Sequence, residues 1–264
     1  DRSPSRGLGD VYKRQQYRRL FIMTTHFTSG VTNVSSTGSL GKIKQLDPTK
    51  YHIFHDDFDK YTAGDWVITT TEAGTSAATE ALGSGDGGLL VVTNDDADND
   101  ADFFQWAGGS GGAIESFKYE TGKQLFFKSR FKTSDADASD VVMGLQITDT
   151  SPLDVSDGIF FLLTDGDETP QFIVEKNGTQ STLSLPNDMS DDTFMTLGFV
   201  YNPNDQKFHV YQNNVHAGSV VSTNAPDDEE LTVSFGIQNG AAASKVLTVD
   251  YITVGKERTA VTEL

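Results

Sequence analysis

Hydrophobic and polar residues alternate in two runs between residues 123 and 148, and a short acidic turn separates the runs. In the first run Leu125, Phe127 and Phe131 fall on one side of an extended chain, and Lys128, Arg130 and Lys132 fall on the other. In the second run Val141, Met143, Leu145 and Ile147 share one side. A period of two residues is typical of β-strands, and the polar turn between the runs predicts an antiparallel hairpin with one buried face.

Similar apolar runs recur along the chain between turn residues, at a spacing of roughly eight to twelve residues. The predicted strands are Trp66–Thr71, Leu89–Thr93, Gly158–Thr164, Gln171–Lys176, Thr193–Tyr201, Lys207–Gln212, Leu231–Ile237 and Val246–Val254. Asn177-Gly178 is the strongest hairpin turn signal. No segment has the helical period. We therefore predict an all-β fold, an antiparallel β-sandwich of about ten to thirteen strands, in one domain at 51–258.

The composition limits the classes of partner. The chain has 264 residues with a formal net charge of -18, which would repel nucleic acid and anionic membranes, so neither is expected as a partner. It has no cysteine, so disulfides and thiolate metal sites are excluded. No apolar run approaches the roughly 20 residues that a membrane helix requires.

The two ends differ from the domain. Residues 1–22 carry six of the 20 basic residues and two of the 38 acidic ones, and DVYKRQ at 10–15 resembles a translated sequencing adaptor. We interpret 1–22 as a translation artefact or disordered tail, with the natural start at Met23. Residues 23–50 are rich in Ser, Thr and Gly and predict an extended N-terminal arm, which is either a disordered terminus or a segment that lies across a neighbouring subunit. Residues 259–264 are a short C-terminal tail.

An acidic segment at 94–106 is the candidate metal site. Asp96, Asp98, Asp100 and Asp102 alternate as in the first half of a calcium loop, and carboxylate oxygens are the ligands that Ca²⁺ prefers. The helix–loop–helix calcium motif fails, because its sixth and twelfth positions hold Ala101 and Ala107. The alternative is a solvated acidic loop. No other cofactor is expected.

The order of several segments resembles the concanavalin A-like lectin and glucanase domains. These segments are HDDF (55–58), FKSRFK (127–132), VVMGLQI (141–147), TLGFVYNPNDQKFHVYQNN (196–214) and TVDYITV (248–254). The resemblance covers about 51–256 and implies a jelly-roll sandwich. Two further segments, ITDTSPLDVSDGIFF (147–161) and DDEELTVSFGIQNG (227–240), resemble structural proteins of tailed bacteriophages from marine samples, which implies a component of the virion.

The glycan hydrolases of this fold imply two catalytic carboxylates on one strand, in a pattern like Glu-x-Asp-x-x-Glu. None of the ten glutamates of this chain has that pattern, and the strand where the acids are expected carries Lys128, Arg130 and Lys132. We therefore expect no catalytic residues and no enzymatic activity.

Two functions remain. The first is a capsid decoration or cement protein, located in the virion, that binds capsid or other virion proteins and forms a homo-oligomer. The alternative is a carbohydrate-binding module of a phage tail or adsorption apparatus, which would bind a host surface glycan. Its candidate residues are Trp66, Trp106, Arg130 and Gln146, because Trp stacks on sugar rings while Arg and Gln bind hydroxyl groups. Against this, both Trp residues could belong to the core, and the cations could form a solvated face paired with Asp.

Overall fold

The computed structural model describes residues 46–85 and 87–258. The chain divides into two units, 1–48 and 49–264, and every described strand belongs to the second unit. The segments 1–22 and 259–264 and most of the arm at 23–50 lie outside the described residues. Within those residues there are sixteen strands, and the only helical elements are two short 3-10 turns, Ala63–Asp65 and Ser222–Asn224. None of the described helical turns is long enough to cross a membrane.

The strands run in chain order as follows: β1 (Tyr51–Asp56), β2 (Trp66–Thr71), β3 (Thr79–Gly85), β4 (Gly87–Thr93), β5 (Ala101–Trp106), β6 (Phe117–Lys118), β7 (Leu125–Thr133), β8 (Ser139–Gln146), β9 (Gly158–Thr164), β10 (Asp167–Lys176), β11 (Thr179–Ser184), β12 (Met195–Asn202), β13 (Lys207–Gln212), β14 (Val215–Val221), β15 (Glu230–Asn239) and β16 (Val246–Glu257). All of their pairings are antiparallel.

The strands form two sheets. Sheet A has the order β14-β13-β12-β7-β16-β4-β3, with β1 also paired to β16, and sheet B has the order β11-β10-β9-β8-β15-β5-β2, with β6 also paired to β15. The inward side chains of both sheets form one continuous hydrophobic core. The β-sandwich predicted from the alternation is therefore confirmed, with more strands than the alternation indicated.

The core is strongly aromatic because Phe fills the space between two facing sheets efficiently. Phe127 and Phe199 of sheet A stack at 5.8 Å, and Phe104 and Phe235 of sheet B stack at 4.7 Å with nearly parallel planes. Phe161 of sheet B contacts Phe127 of sheet A at 6.5 Å between ring centres. Pairs at these distances add about 0.5–1.5 kcal/mol each to the area that they bury.

The predicted hairpin between 123 and 148 is wrong in its pairing. Both strands exist, but β7 pairs with β12 and β16 in sheet A, whereas β8 pairs with β9 and β15 in sheet B. The connection crosses from one sheet to the other at the end of the sandwich. Ala136 is buried in the core there, and its backbone N–H donates to Asp191 rather than across a hairpin turn.

Other turns agree with the prediction. Asn177 and Gly178 have φ angles of 49° and 72° and join β10 to β11, which is the conformation that an Asn-Gly hairpin turn requires. The turn at Asn202–Asp205 joins β12 to β13 as expected. The acidic segment is only partly a loop, because β5 begins at Ala101 and includes Asp102.

Candidate functional site

The outer face of sheet B is apolar and buried at its centre. The side chains of β8 that point away from the main core are those of Asp140, Val142 and Gln146, with Gly144 between the last two. A Cβ atom at Gly144 would lie 2.5 Å from the Cα of Phe160 on the paired strand β9, so only glycine fits there. Phe160 joins an outer hydrophobic cluster, whose buried members are Ala101, Phe103, Val142, Val155, Phe160 and Ile173.

The connection between β8 and β9, residues 147–157, lies over this face, and we call it the covering loop. Gln105 of β5 donates from Nε2 to the carbonyl of Ile147 at 2.9 Å, and its Oε1 accepts the N–H of Asp149 at 3.1 Å. Gln146 donates from Nε2 to the carbonyl of Pro152 at 2.8 Å. Val155 packs in the outer hydrophobic cluster. Two glutamines from neighbouring parts of the sheet therefore hold the loop at both of its halves.

Buried carboxyl groups also lie beside the covering loop. Glu175 of β10 is 5% exposed and Asp157 is 4% exposed. Burial raises the pKa of Glu175, and the charges of Asp154 and Asp157 raise it further, while a hydrogen bond from Gln180 opposes the rise. Asp157 accepts hydrogen bonds from the Asn177 backbone and the Ser156 hydroxyl. Both carboxyl groups are enclosed by the chain, so neither faces an open substrate cleft.

The structure places both tryptophans in the aromatic interior. Trp66 is 6% exposed and contacts Trp106 at 5.2 Å and Phe235 at 5.0 Å between ring centres. Trp106 is half-buried and packs against Phe54 at 4.9 Å. Both tryptophans therefore occupy core positions, which was the alternative to sugar binding. The Trp66 ring is not available to stack on a sugar from solvent.

The other two candidate binding residues lie on different sheets. Gln146 is fully buried under the covering loop, and its Oε1 has no donor within the described part of the chain. Arg130 lies on the outer face of sheet A, where it forms an ion pair with Asp250 and sits 4.0 Å from the centre of the Phe194 ring. The four residues proposed for sugar binding therefore do not converge on one site.

The four aspartates of the acidic segment are also not brought together. Asp96 and Asp98 are exposed, whereas Asp100 and Asp102 are buried. Asp100 accepts three backbone N–H groups, those of Ala73, Gly74 and Ala97, and so closes the loop that contains it. Across residues 46–85 and 87–258 no group of three or more His, Asp or Glu side chains is arranged to hold a metal ion.

The outer face of sheet A is open and carries the cation row expected from the alternation. Lys132 pairs with Asp192 at 3.1 Å, and Arg130 pairs with Asp250. Lys128 forms no ion pair with any residue that the structure describes. The cations therefore lie on one half-exposed face, and two of the three are neutralised by Asp.

A groove of about 240 Å³ lies beside Lys128 on this face, and we call it the sheet A groove. Its floor is Gly198 of β12, which lies between Lys128 of β7 and Tyr211 of β13 in the register. A Cβ atom at Gly198 would lie 2.9 Å from the Phe127 carbonyl oxygen, so the floor is bare backbone. The remaining outward walls come from Phe126, Thr196, Val200 and Asn214.

The two aromatic walls of the groove each lie against a neighbouring strand. The Phe126 ring lies across Gly255 of β16, where a Cβ atom would collide with the ring. Tyr211 contacts His216 of β14 at 5.5 Å in an edge-to-face arrangement. The cation row follows from the sequence alternation, whereas the groove could not be predicted from it. Its only local signal was a glycine within the otherwise bulky strand β12.

A second depression lies where β14 leads into the 3-10 turn at Ser222–Asn224, and it is mainly polar, with a volume of about 380 Å³. Its cation is Lys176, which is already paired with Asp227 and with Asp228. The charges of this depression are therefore satisfied within the protein.

The topology and the enclosed aromatic core define the class of fold as the concanavalin-like β-sandwich of lectin and glucanase domains. No family model matches the chain, and no curated protein matches its sequence. Each similarity below is to a solved structure at low identity, and it concerns the fold.

Among the similar structures is SO2946 from Shewanella oneidensis MR-1, a protein of unknown function, with a TM-score of 0.54 and 16% identity over 81% of this chain and 90% of that one. An endo-1,3-beta-glucanase from Streptomyces sioyaensis has a TM-score of 0.53 and 13% identity over 81% and 99% of the two chains. The carbohydrate recognition domain of Emp46p, solved in a potassium-bound form, has a TM-score of 0.51 and 10% identity over 75% and 94%.

Proposed function

We propose that this protein binds carbohydrate without cleaving it. The observation that carries the proposal is the closed outer face of sheet B, where the chain's own loop covers the part of β8 that bears Val142, Gly144 and Gln146. The strand on which the glucanase resemblance implies two acids, β7, carries Lys128, Arg130 and Lys132. Hydrolysis of a glycosidic bond requires two carboxyl groups that reach the substrate from opposite sides. The fold is shared with lectins and with glucanases, and the two buried acids at the covering loop, Glu175 and Asp157, are enclosed by the chain.

The first test combines binding and cleavage measurements on the full chain. Affinity electrophoresis against a panel of neutral and acidic polysaccharides should show retardation by at least one of them. Prolonged incubation with the same polysaccharides should release no reducing ends above the blank.

The matched variants for cleavage are Glu175→Gln and Glu168→Gln, which remove a buried and an exposed carboxylate from the same strand, β10. Release of reducing ends that is lost in Glu175→Gln and kept in Glu168→Gln would overturn the non-catalytic proposal, because it would identify Glu175 as the acid.

A role in a phage virion is a second proposal, supported by the resemblance of 147–161 and 227–240 to phage structural proteins. These segments include the covering loop, the start of β9 and β15, so the residues that carry the resemblance belong to sheet B and to the loop that covers it. In this proposal the domain decorates a capsid or belongs to a tail, as a homo-oligomer in contact with other virion proteins. A closed oligomer in light scattering would support this virion proposal, as would co-sedimentation with capsids encoded by the same genome. Failure to co-sediment would contradict it.

A further inference from the structure

We propose that the sheet A groove is the carbohydrate site and that it takes an acidic sugar unit, with the ring against Phe126 and Tyr211 and the anionic group on Lys128. The proposal rests on the proposed function, since it names the ligand class and the surface for the same binding activity. It places the site on the outer face of sheet A, on the side of the sandwich opposite to the covering loop.

The shape of the groove suits one or two sugar rings. Lys128 of β7 and Tyr211 of β13 lie on either side of Gly198, because β12 separates their strands. Their Cα atoms are therefore two strand spacings, or about 10 Å, apart. The volume of about 240 Å³ is somewhat below the roughly 300 Å³ at which sites for drug-sized ligands begin. A side chain at position 198 would fill the groove, and glycine has none.

The chemistry of the walls suits a carbohydrate. Phe126 and Tyr211 present ring surface next to a polar rim formed by Thr196 and Asn214. Aromatic rings pack against the C–H faces of sugars, while hydroxyl and amide groups bind their hydroxyls. The edge-to-face contact with His216 holds the Tyr211 ring in place before a ligand arrives, which reduces the entropy that binding would cost.

The charge distribution indicates an anionic ligand. None of the residues lining the groove is acidic, although the protein as a whole has a formal net charge of -18. Arg130 and Lys132 are neutralised by Asp250 and Asp192, whereas the Lys128 ammonium group has no ion-pair partner within residues 46–85 and 87–258. A carboxylate or sulfate on the sugar would supply that partner and gain a charge-assisted hydrogen bond.

The test is calorimetric titration of the full chain with hexameric oligogalacturonate, and with cellohexaose as the neutral ligand of equal length. Oligogalacturonate should bind, and its affinity should fall as salt is raised. Lys128→Gln should weaken binding about tenfold, the loss expected for one hydrogen bond to a charged group. Tyr211→Ala should weaken binding by a similar factor. Lys132→Gln removes the same charge from the same strand outside the groove and should change affinity less than about twofold.

The possible outcomes separate the two proposals. Binding of oligogalacturonate that is unchanged in Lys128→Gln and Tyr211→Ala would overturn the site and leave carbohydrate binding in place. Binding of cellohexaose alone would overturn the acidic ligand class. Poly-glutamate that binds as tightly as oligogalacturonate, with the same loss in Lys128→Gln, would replace the sugar with an acidic peptide. No binding to any polysaccharide of the panel would remove both proposals.

Discussion

At one edge of the sandwich an acidic side chain of sheet B meets one of sheet A. Asp102 of β5 is fully buried, and the Glu80 carboxyl group of β3 lies close enough for its charge to act on it. The Asp102 Oδ1 atom accepts the Thr70 hydroxyl at 2.5 Å, and Oδ2 has no donor among the described residues. Burial raises the pKa of Asp102 to about 6, and the negative charges of Glu80 and Glu72 contribute to the rise, while the Thr70 hydrogen bond opposes it.

This pKa makes the stability of the domain depend on pH in a definite direction. The folded protein binds the Asp102 proton more tightly than the unfolded chain, whose Asp pKa is about 3.9. The contribution of Asp102 is therefore most favourable below about pH 4, and it is lost as the pH rises through about 6. A shift of about two units corresponds to at most about 3 kcal/mol. We expect about 1–2 kcal/mol, because Glu72 and Glu80 are accessible to solvent, which screens their charges.

The perturbation that tests this is Asp102→Asn. Asparagine keeps an acceptor for Thr70 and carries no charge, so burial and the nearby Glu80 charge no longer destabilise the folded state as the pH rises. At pH 7.5 the variant should unfold with a free energy about 1–2 kcal/mol higher than wild type, and near pH 4 the two should be nearly equal. Urea denaturation at a series of pH values, followed by tryptophan fluorescence, measures the difference.

The control is Asp135→Asn, because the pKa of the Asp135 carboxyl group is shifted in the direction opposite to that of Asp102. The hydrogen bond from Lys245 lowers the pKa of Asp135, so this variant should lose stability at neutral pH and lose less at low pH. If Asp102→Asn instead destabilised the protein at pH 7.5 and left the pH dependence between 4 and 6 unchanged, the pKa of Asp102 would not be raised in the folded state, and the prediction would be wrong.

Three further predictions concern the backbone and the covering loop. Gly178→Ala should lower the free energy of unfolding by about 1 kcal/mol in urea denaturation, because residue 178 has a φ angle of 72°. Gly144→Val should cost more than about 3 kcal/mol and lower the melting temperature in calorimetry, since the added atoms overlap the Phe160 backbone; a melting temperature close to wild type would contradict it. Gln105→Leu should release the covering loop and speed hydrogen exchange at 147–157, while exchange in sheet A stays unchanged.

Much of the strand content could be predicted from local sequence. The alternation in β7 matches the burial found there, since every second residue from Leu125 to Thr133 is buried. Asn177-Gly178 specified its hairpin because few dipeptides adopt two positive φ angles readily. These features depend on residues close together in the chain, and their physical chemistry is the same in any fold.

Strand pairing and the role of single polar residues could not be predicted in this way. Alternation shows which side of a strand is buried but not which strand lies beside it, so the crossing between β7 and β8 has the same appearance as a hairpin turn. Asp102 looked like part of a solvated loop, and its burial depends on Thr70 and Glu80 from distant strands. Trp66 was a candidate binding residue, and its burial likewise depends on residues far away in the sequence, Trp106 and Phe235.

The amino-acid pattern alone predicts an antiparallel all-β sandwich, a strand that presents a row of cations, and the lack of a glucanase-type glutamate pattern. The closure of sheet B by the covering loop, and the groove that Lys128, Gly198 and Tyr211 surround on sheet A, become visible in the folded chain. The reason is that strand propensity and charge are properties of short segments, whereas a site is formed by the register of strands far apart in the chain, which depends on packing of the whole core.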